Sequence, residues 1–179
     1  MIEGDRSCPV LEMSDGEDIE IGTAAEHDIE GIVALQDANQ PERGGALSAR
    51  LSHAQLEAML ADLPLLVARR GEGIVGYLLA ASKTTVAEAP IVRAMLAAYS
   101  GKPDAYVYGP IVVAETERGH GLAQKLFESL KTRLPGREGI LFIRADNSAS
   151  LRAHLKMGVV PRGTFRHNER DFVVLSYEG

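Results

Sequence analysis

The chain has 179 residues, 45% of them hydrophobic, a formal net charge of -6 and one cysteine. That length suits one well-packed core, and an acidic balance without clustered Lys and Arg excludes a nucleic-acid-binding surface. The lone Cys8 excludes an intrachain disulfide or a multi-cysteine metal site and points to a reducing, cytoplasmic compartment, while no apolar run approaches the ~18 residues of a membrane span.

Residues 1–18 carry Glu3, Asp5, Glu12, Asp15, Glu17 and Asp18 with neither a basic start nor an apolar stretch. They read as a mobile acidic N-terminal tail, not a signal peptide, which leaves a single domain over 19–179. Ile19 to Ala24 alternates like a first strand. A helix is expected over Glu26 to Asn39, with Ile29, Ile32, Val33, Leu35 and Gln36 on one face, and Pro41-Glu42-Arg43-Gly44-Gly45 ends it. Ser52 as N-cap and Gln55 three residues on start a second helix, which turns Leu56, Met59, Leu60 and Leu63 inward and runs to Asp62. Leu65 to Arg69 and Ile74 to Leu79, joined by Gly71-Glu72-Gly73, form a hairpin.

The stretch from Lys83 to Pro103 is too long for a hairpin connection. Behind Pro90, residues Ile91, Met95, Ala98 and Tyr99 recur at helical spacing, so an inserted helix is expected, either as a lid or dimer contact or as a cover for core. A strand follows over Tyr106 to Val113 and a helix over Leu122 to Leu134. Ile140 to Ile143 has the composition of a buried strand, and Asn147 is a good cap for the helical run behind it. Two strands, Val160 to Phe165 and Phe172 to Tyr177, close the chain around an exposed loop, Arg166 to Asp171.

The most constraining segment is Arg118-Gly119-His120-Gly121-Leu122-Ala123, where a strand turns through glycines into a helix. Such a turn aims unpartnered N–H groups and the positive helix end at one point, which suits a phosphate. A Walker loop needs a closing Gly-Lys-Ser/Thr that is missing here, and a dinucleotide fingerprint needs glycine where Gln124 stands. What remains is Arg-x-x-Gly-x-Ala.

That string resembles the pyrophosphate-loop signature, Gln/Arg-x-x-Gly-x-Gly/Ala, of the GCN5-related N-acetyltransferase (GNAT) superfamily. The hairpin upstream looks like that family's second and third strands. Asn147 to Gly158 is similar to its Asn-x-x-Ala-x-x-x-Tyr-x-Lys-x-Gly-Phe helix. The resemblance implies an α/β (α+β) fold: a central, mixed, mostly antiparallel sheet of about seven strands, splayed between the fourth and fifth and flanked by helices. It implies acetyl-CoA as co-substrate and no metal. The pantetheine arm would pair with the strand ending Ile111-Val112-Val113-Ala114. The pyrophosphate would rest on the loop opened by Arg118, on N–H groups of Gly119, His120, Gly121, Leu122, Ala123 and Gln124. Asn147 would bond the pantetheine arm, cap its helix, or do both.

Transfer needs a neutral amine, a polarised carbonyl and a proton for the departing sulfur. A backbone N–H near Val113 is the candidate oxyanion donor. Where many relatives carry a proton-donating Tyr, this chain has His154, whose ordinary pKa near 6.5 makes it a stronger but scarcer acid. Where some carry a basic Glu, it has Phe142. Glu115, Glu117 and Tyr108 remain as candidate bases, with a water chain as the alternative. The acceptor pocket would be built from Gln40 to Ser48, the insertion after Lys83 and the last hairpin, with His167 and Arg170 at its border or simply in a solvated turn. Two readings follow: an acyl-CoA-dependent N-acyltransferase acting on a small-molecule or peptide primary amine, or a non-catalytic acyl-CoA sensor or scaffold. Among relatives of this kind dimers are common, so a homodimer is an expectation; a nucleic-acid or membrane partner is not.

Overall fold

The structure, a computed structural model, describes residues 18–45, 47 and 50–179. The acidic tail expected over 1–18 therefore lies, apart from Asp18, outside the described residues, as does part of the loop after Gly45. In chain order the elements are β1 (Ile19–Thr23), α1 (Ile29–Ala38), α2 (His53–Leu60), β2 (Leu66–Arg70), β3 (Gly73–Ser82), α3 (Pro90–Ala98), β4 (Tyr106–Val113), α4 (Leu122–Arg133), β5 (Glu138–Arg144), α5 (Ser148–Lys156), β6 (Val160–His167) and β7 (Arg170–Glu178). Among the described residues no helix is long and apolar enough to cross a membrane.

The seven strands form one sheet in the order β1-β2-β3-β4-β5-β7-β6. All neighbours run antiparallel except β4 and β5. Alternation along the strands divides the core between two faces. On one face Leu78, Tyr106, Tyr108 and Leu175 pack beneath Leu126, Phe127 and Leu130 of α4. On the other, Val67, Tyr77 and Leu79 meet Ile29 and Ile32 of α1 and Leu56 and Met59 of α2, and Val107, Ile140 and Val174 meet Val92 and Met95 of α3. The inserted helix thus covers core and packs against β6.

The expected cap of α2 is formed. Gln55 N–H donates to Ser52 Oγ at 3.3 Å, and Ser52 N–H donates to Gln55 Oε1 at 2.8 Å. Ser52→Ala removes an acceptor from the helix start; a loss of about 1 kcal/mol in folding stability is expected by urea titration, with no change in the denaturant slope.

The last hairpin differs from expectation. Polar residues taken as a loop over Arg166 to Asp171 continue both strands, with His167 paired to Arg170. The turn is only Asn168-Glu169, whose φ values of 47 and 62 give the left-handed pair that joins twisted strands tightly. Both strand ends project past the apolar core, so solvent-facing side chains on both faces hid the pairing.

Candidate functional site

The parallel pair decides where a ligand can lie. β4 and β5 pair only at Tyr106 with Gly139 and Val107 with Ile140, and then diverge. β3 meanwhile follows β4 to its end, where Val113 lies opposite Gly76. From Tyr108 to Val113, then, one edge of β4 is paired and the other is open. Backbone groups along such an edge require partners from something extended. Between Leu78 and Ala80 the register with β3 shifts, so that Gly109-Pro110 bulges out of the strand. Proline inside a strand is characteristic of a bulge; that sequence signal was present, and the expected uninterrupted strand missed it.

Past β4, the single-turn helix Glu115–Glu117 leads into the glycine turn. Gly119 and Gly121 have φ of 82 and 76, values that bulkier residues adopt at a cost. A Cβ on either would meet nothing within 4 Å, so the space above both is open to an incoming group. Gly121 is the N-cap of α4 and no side chain caps that helix. Its first N–H groups therefore look outward, in the arrangement that binds anions. His120 and Gln124 are exposed, Ala123 is half-buried and Leu122 anchors the turn in the core. The turn is held from below by Glu117, which is buried and paired with Arg70 at 2.8 Å. Arg118 donates through Nε to the Val113 carbonyl at 3.3 Å and through a terminal nitrogen to Asn39 Oδ1 at 2.6 Å, tying the turn to the end of α1. Neither the Arg70–Glu117 pair nor the Asn39–Arg118 link was anticipated, because nothing local marks partners so far apart in sequence.

The splay opens into a cavity of about 540 Å³ that reaches both faces of the sheet. Ile111, Val112, Val113, Arg118, Ala123, Asn147, Tyr108 and His154 all line it. Asn147 also caps α5, accepting from the Ser150 N–H at 3.1 Å. Ala114 is half-buried just beyond the lining. Glu115 is exposed on its turn and lies outside the cavity, so the geometry does not place it with the other candidates. Glu117, committed to Arg70, is outside as well. Leu122 and His120 instead border a separate groove of about 530 Å³ with Lys125 and the Arg70–Glu117 pair. His167 and Arg170, at the hairpin tip, do not line the cavity, whereas the inserted segment does, through Val86, Ala89, Ile91 and Val92.

His154 is buried, at 5% exposure. Its Nδ1 lies 2.8 Å from the Ser150 carbonyl, which can only accept, so Nδ1 carries the proton. Nε2 is then a lone pair, and it faces the Tyr108 hydroxyl at 3.4 Å, which donates to it. Burial holds the imidazole below its ordinary 6.5, outweighing the carbonyl that favours the cation. Burial likewise raises the Tyr108 hydroxyl well above the phenol range. At neutral pH the pair is uncharged, the Tyr108 hydroxyl donating to its one acceptor nitrogen.

Comparison with known proteins agrees with this geometry. Residues 31–159 match the model of the Acetyltransferase (GNAT) family. No curated protein sequence matches the chain. Among solved structures, yncA of Salmonella typhimurium, determined with its cofactor acetyl-CoA, superposes with a TM-score of 0.65 at 15% identity, over 90% of this chain and 94% of that one. An N-acetyltransferase from Staphylococcus aureus gives 0.63 at 19% identity over 90% and 98%. The ribosomal-protein-alanine N-acetyltransferase of Brucella melitensis gives 0.63 at 20% identity over 89% and 99%. The family match covers well over half of the sequence, and the seven-stranded mixed sheet with its parallel β4–β5 pair matches the fold of those structures: the chain belongs to the GNAT family of acetyltransferases.

Proposed function

We propose that this chain transfers an acetyl group from acetyl-CoA to a primary amine by direct attack while both are bound. The observation that carries the proposal is the open edge of β4 running into an uncapped helix start. An extended thiol arm fits the first and a diphosphate fits the second, and a ligand bearing both in sequence spans them. Residues 111–114 and Asn147 would hold the arm, and Arg118 to Gln124 the diphosphate. Bound there, acetyl-CoA supplies an acetyl group activated as a thioester.

The chain's own groups then act on the amine. A backbone N–H near Val113 donates to the carbonyl oxygen as negative charge grows on it. The amine nitrogen forms its bond to the carbonyl carbon as the bond from that carbon to sulfur breaks. One amine proton passes to the Tyr108 oxygen while the Tyr108 hydroxyl proton moves to His154 Nε2. That proton returns by the same route to the departing sulfur, leaving amide, free thiol and the resting pair. His154 thus serves first as acceptor and afterwards as the acid its position in the α5 helix suggests, with Tyr108 as relay.

The test is thiol release from acetyl-CoA with a panel of primary amines. Turnover above the hydrolysis background with at least one amine, and none with the N-acetylated counterparts that lack a free amine, is the expected result. Tight acetyl-CoA binding with no amine turned over would favour a sensor or scaffold.

A further inference from the structure

On the sheet face carrying α1, α2 and α3, the cavity is walled by apolar side chains. Leu47 and Leu51 come from the connection before α2, Met59 from α2, Ile91 and Val92 from α3, and Phe142 from β5. Of the polar groups in the lining, Gln55, Asn39 and Arg144 have hydrogen-bond partners within the chain. Gln55 Oε1 accepts from the Ser52 N–H, and Asn39 donates to the Leu35 carbonyl while accepting from Arg118. Arg144 is held in a bidentate pair by Asp146 at 2.8 and 2.7 Å. Glu88 is different: it is exposed at the rim, and it is the only carboxylate among the described residues of the lining.

An apolar channel with a carboxylate at its mouth selects by two physical effects. The carboxylate attracts a cationic amine from water. The channel then penalises every further charge the acceptor carries, and it favours the uncharged amine that attack requires, because desolvation lowers an ammonium pKa. A polyamine would bring a second ammonium into the channel without a partner. An amino acid would bring a carboxylate past Glu88.

We propose that the acceptor is a primary monoamine with an apolar alkyl or aralkyl body, entering between α2 and α3. This rests on the acetyl-transfer reading above and narrows it to a substrate class.

Linear alkylamines from propylamine to hexylamine differ in apolar length with almost no change in nitrogen basicity, so they isolate burial from proton affinity. At saturating acetyl-CoA, kcat/KM is expected to rise about fourfold per added methylene, the ratio that corresponds to ~0.8 kcal/mol per buried group. 2-Phenylethylamine is expected to exceed both L-phenylalanine and spermidine at least tenfold. A flat series, or L-phenylalanine or spermidine equalling 2-phenylethylamine, overturns the proposal, the former outcome with the amino acid pointing to Arg118 as a carboxylate partner. Glu88→Lys, at an exposed position, should lower kcat/KM for 2-phenylethylamine several-fold at low salt and less at high salt; no change counts against the rim carboxylate. Ile91→Asp should raise KM for 2-phenylethylamine about tenfold with acetyl-CoA affinity within twofold of the parent. Calorimetry on the same samples separates the layers: loss of acetyl-CoA binding by the parent chain overturns the acetyl-transfer reading and this one with it, while binding and turnover with the wrong amines overturns only the substrate class.

Discussion

Gly121→Glu is expected to abolish acetyl-CoA binding, with affinity falling at least a hundredfold by calorimetry. Two effects add. Gly121 has φ of 76 and caps α4, and a glutamate in that conformation carries a backbone penalty of about 1–2 kcal/mol. The larger effect is electrostatic, since its carboxylate would stand at the outward N–H groups proposed to hold the diphosphate, substituting an internal anion for the ligand's and repelling what remains. Gly121→Asn separates the two. Asparagine tolerates the left-handed region and adds no charge, so it should keep affinity within about tenfold of the parent. Equal, severe losses in both variants would assign the effect to backbone strain; retained binding by Gly121→Glu would remove the turn from the site.

His154→Phe is expected to reduce kcat by two to four orders of magnitude while acetyl-CoA affinity changes less than twofold. The phenyl ring fills the volume in the aromatic cluster with Tyr108, Phe127 and Tyr177 but removes the acceptor nitrogen. Tyr108→Phe should match it, and the double variant should be little worse than either, because two groups on one proton path act as a unit. The pH dependence sharpens the test. A proton acceptor must be neutral, and the buried imidazole lies below 6.5. Parent kcat should therefore hold level through neutrality and fall only below the ordinary histidine value, and His154→Phe should lack that acidic fall. Stability follows the same sign. Below pH 6.5 the unfolded chain takes up a proton that folded His154 refuses, so stability present at neutral pH declines with acidification, by up to about 1.4 kcal/mol per unit, until the folded imidazole is itself protonated. A thermal melt series that falls as steeply for His154→Phe as for the parent between pH 7 and 5 would contradict this.

The parts of the site that could be read from the sequence are those in which neighbours in sequence act together. The glycine turn combines strand, turn and helix start within a dozen residues, so its local chemistry was visible. So was Asn147, because a cap and the helix it caps are contiguous, and so was Ser52. The Tyr108–His154 pair was not visible as a pair. Each residue stood out singly, but they are 46 positions apart and meet only because β5 diverges from β4 and the helix that follows it brings His154 back to Tyr108. Arg118 was assigned to the turn it opens; its reach to Asn39, 79 positions earlier, depends on how α1 docks on the sheet. The exposure of Glu115 follows from a single-turn helix that rotates it outward, a feature too short for periodicity to register. The extended last hairpin shows the complementary failure, in which polarity was taken for a loop where two strands project past the core.

Titrating acetyl-CoA into the purified chain by calorimetry, alongside desulfo-coenzyme A and ADP, which keeps a 5′-diphosphate without the thiol arm, tests the shared basis of these claims most directly. The account predicts one site, micromolar binding of the intact thioester, weak binding of the diphosphate fragment alone, and loss of both in Gly121→Glu. Absence of heat with acetyl-CoA and coenzyme A up to millimolar concentration would contradict it.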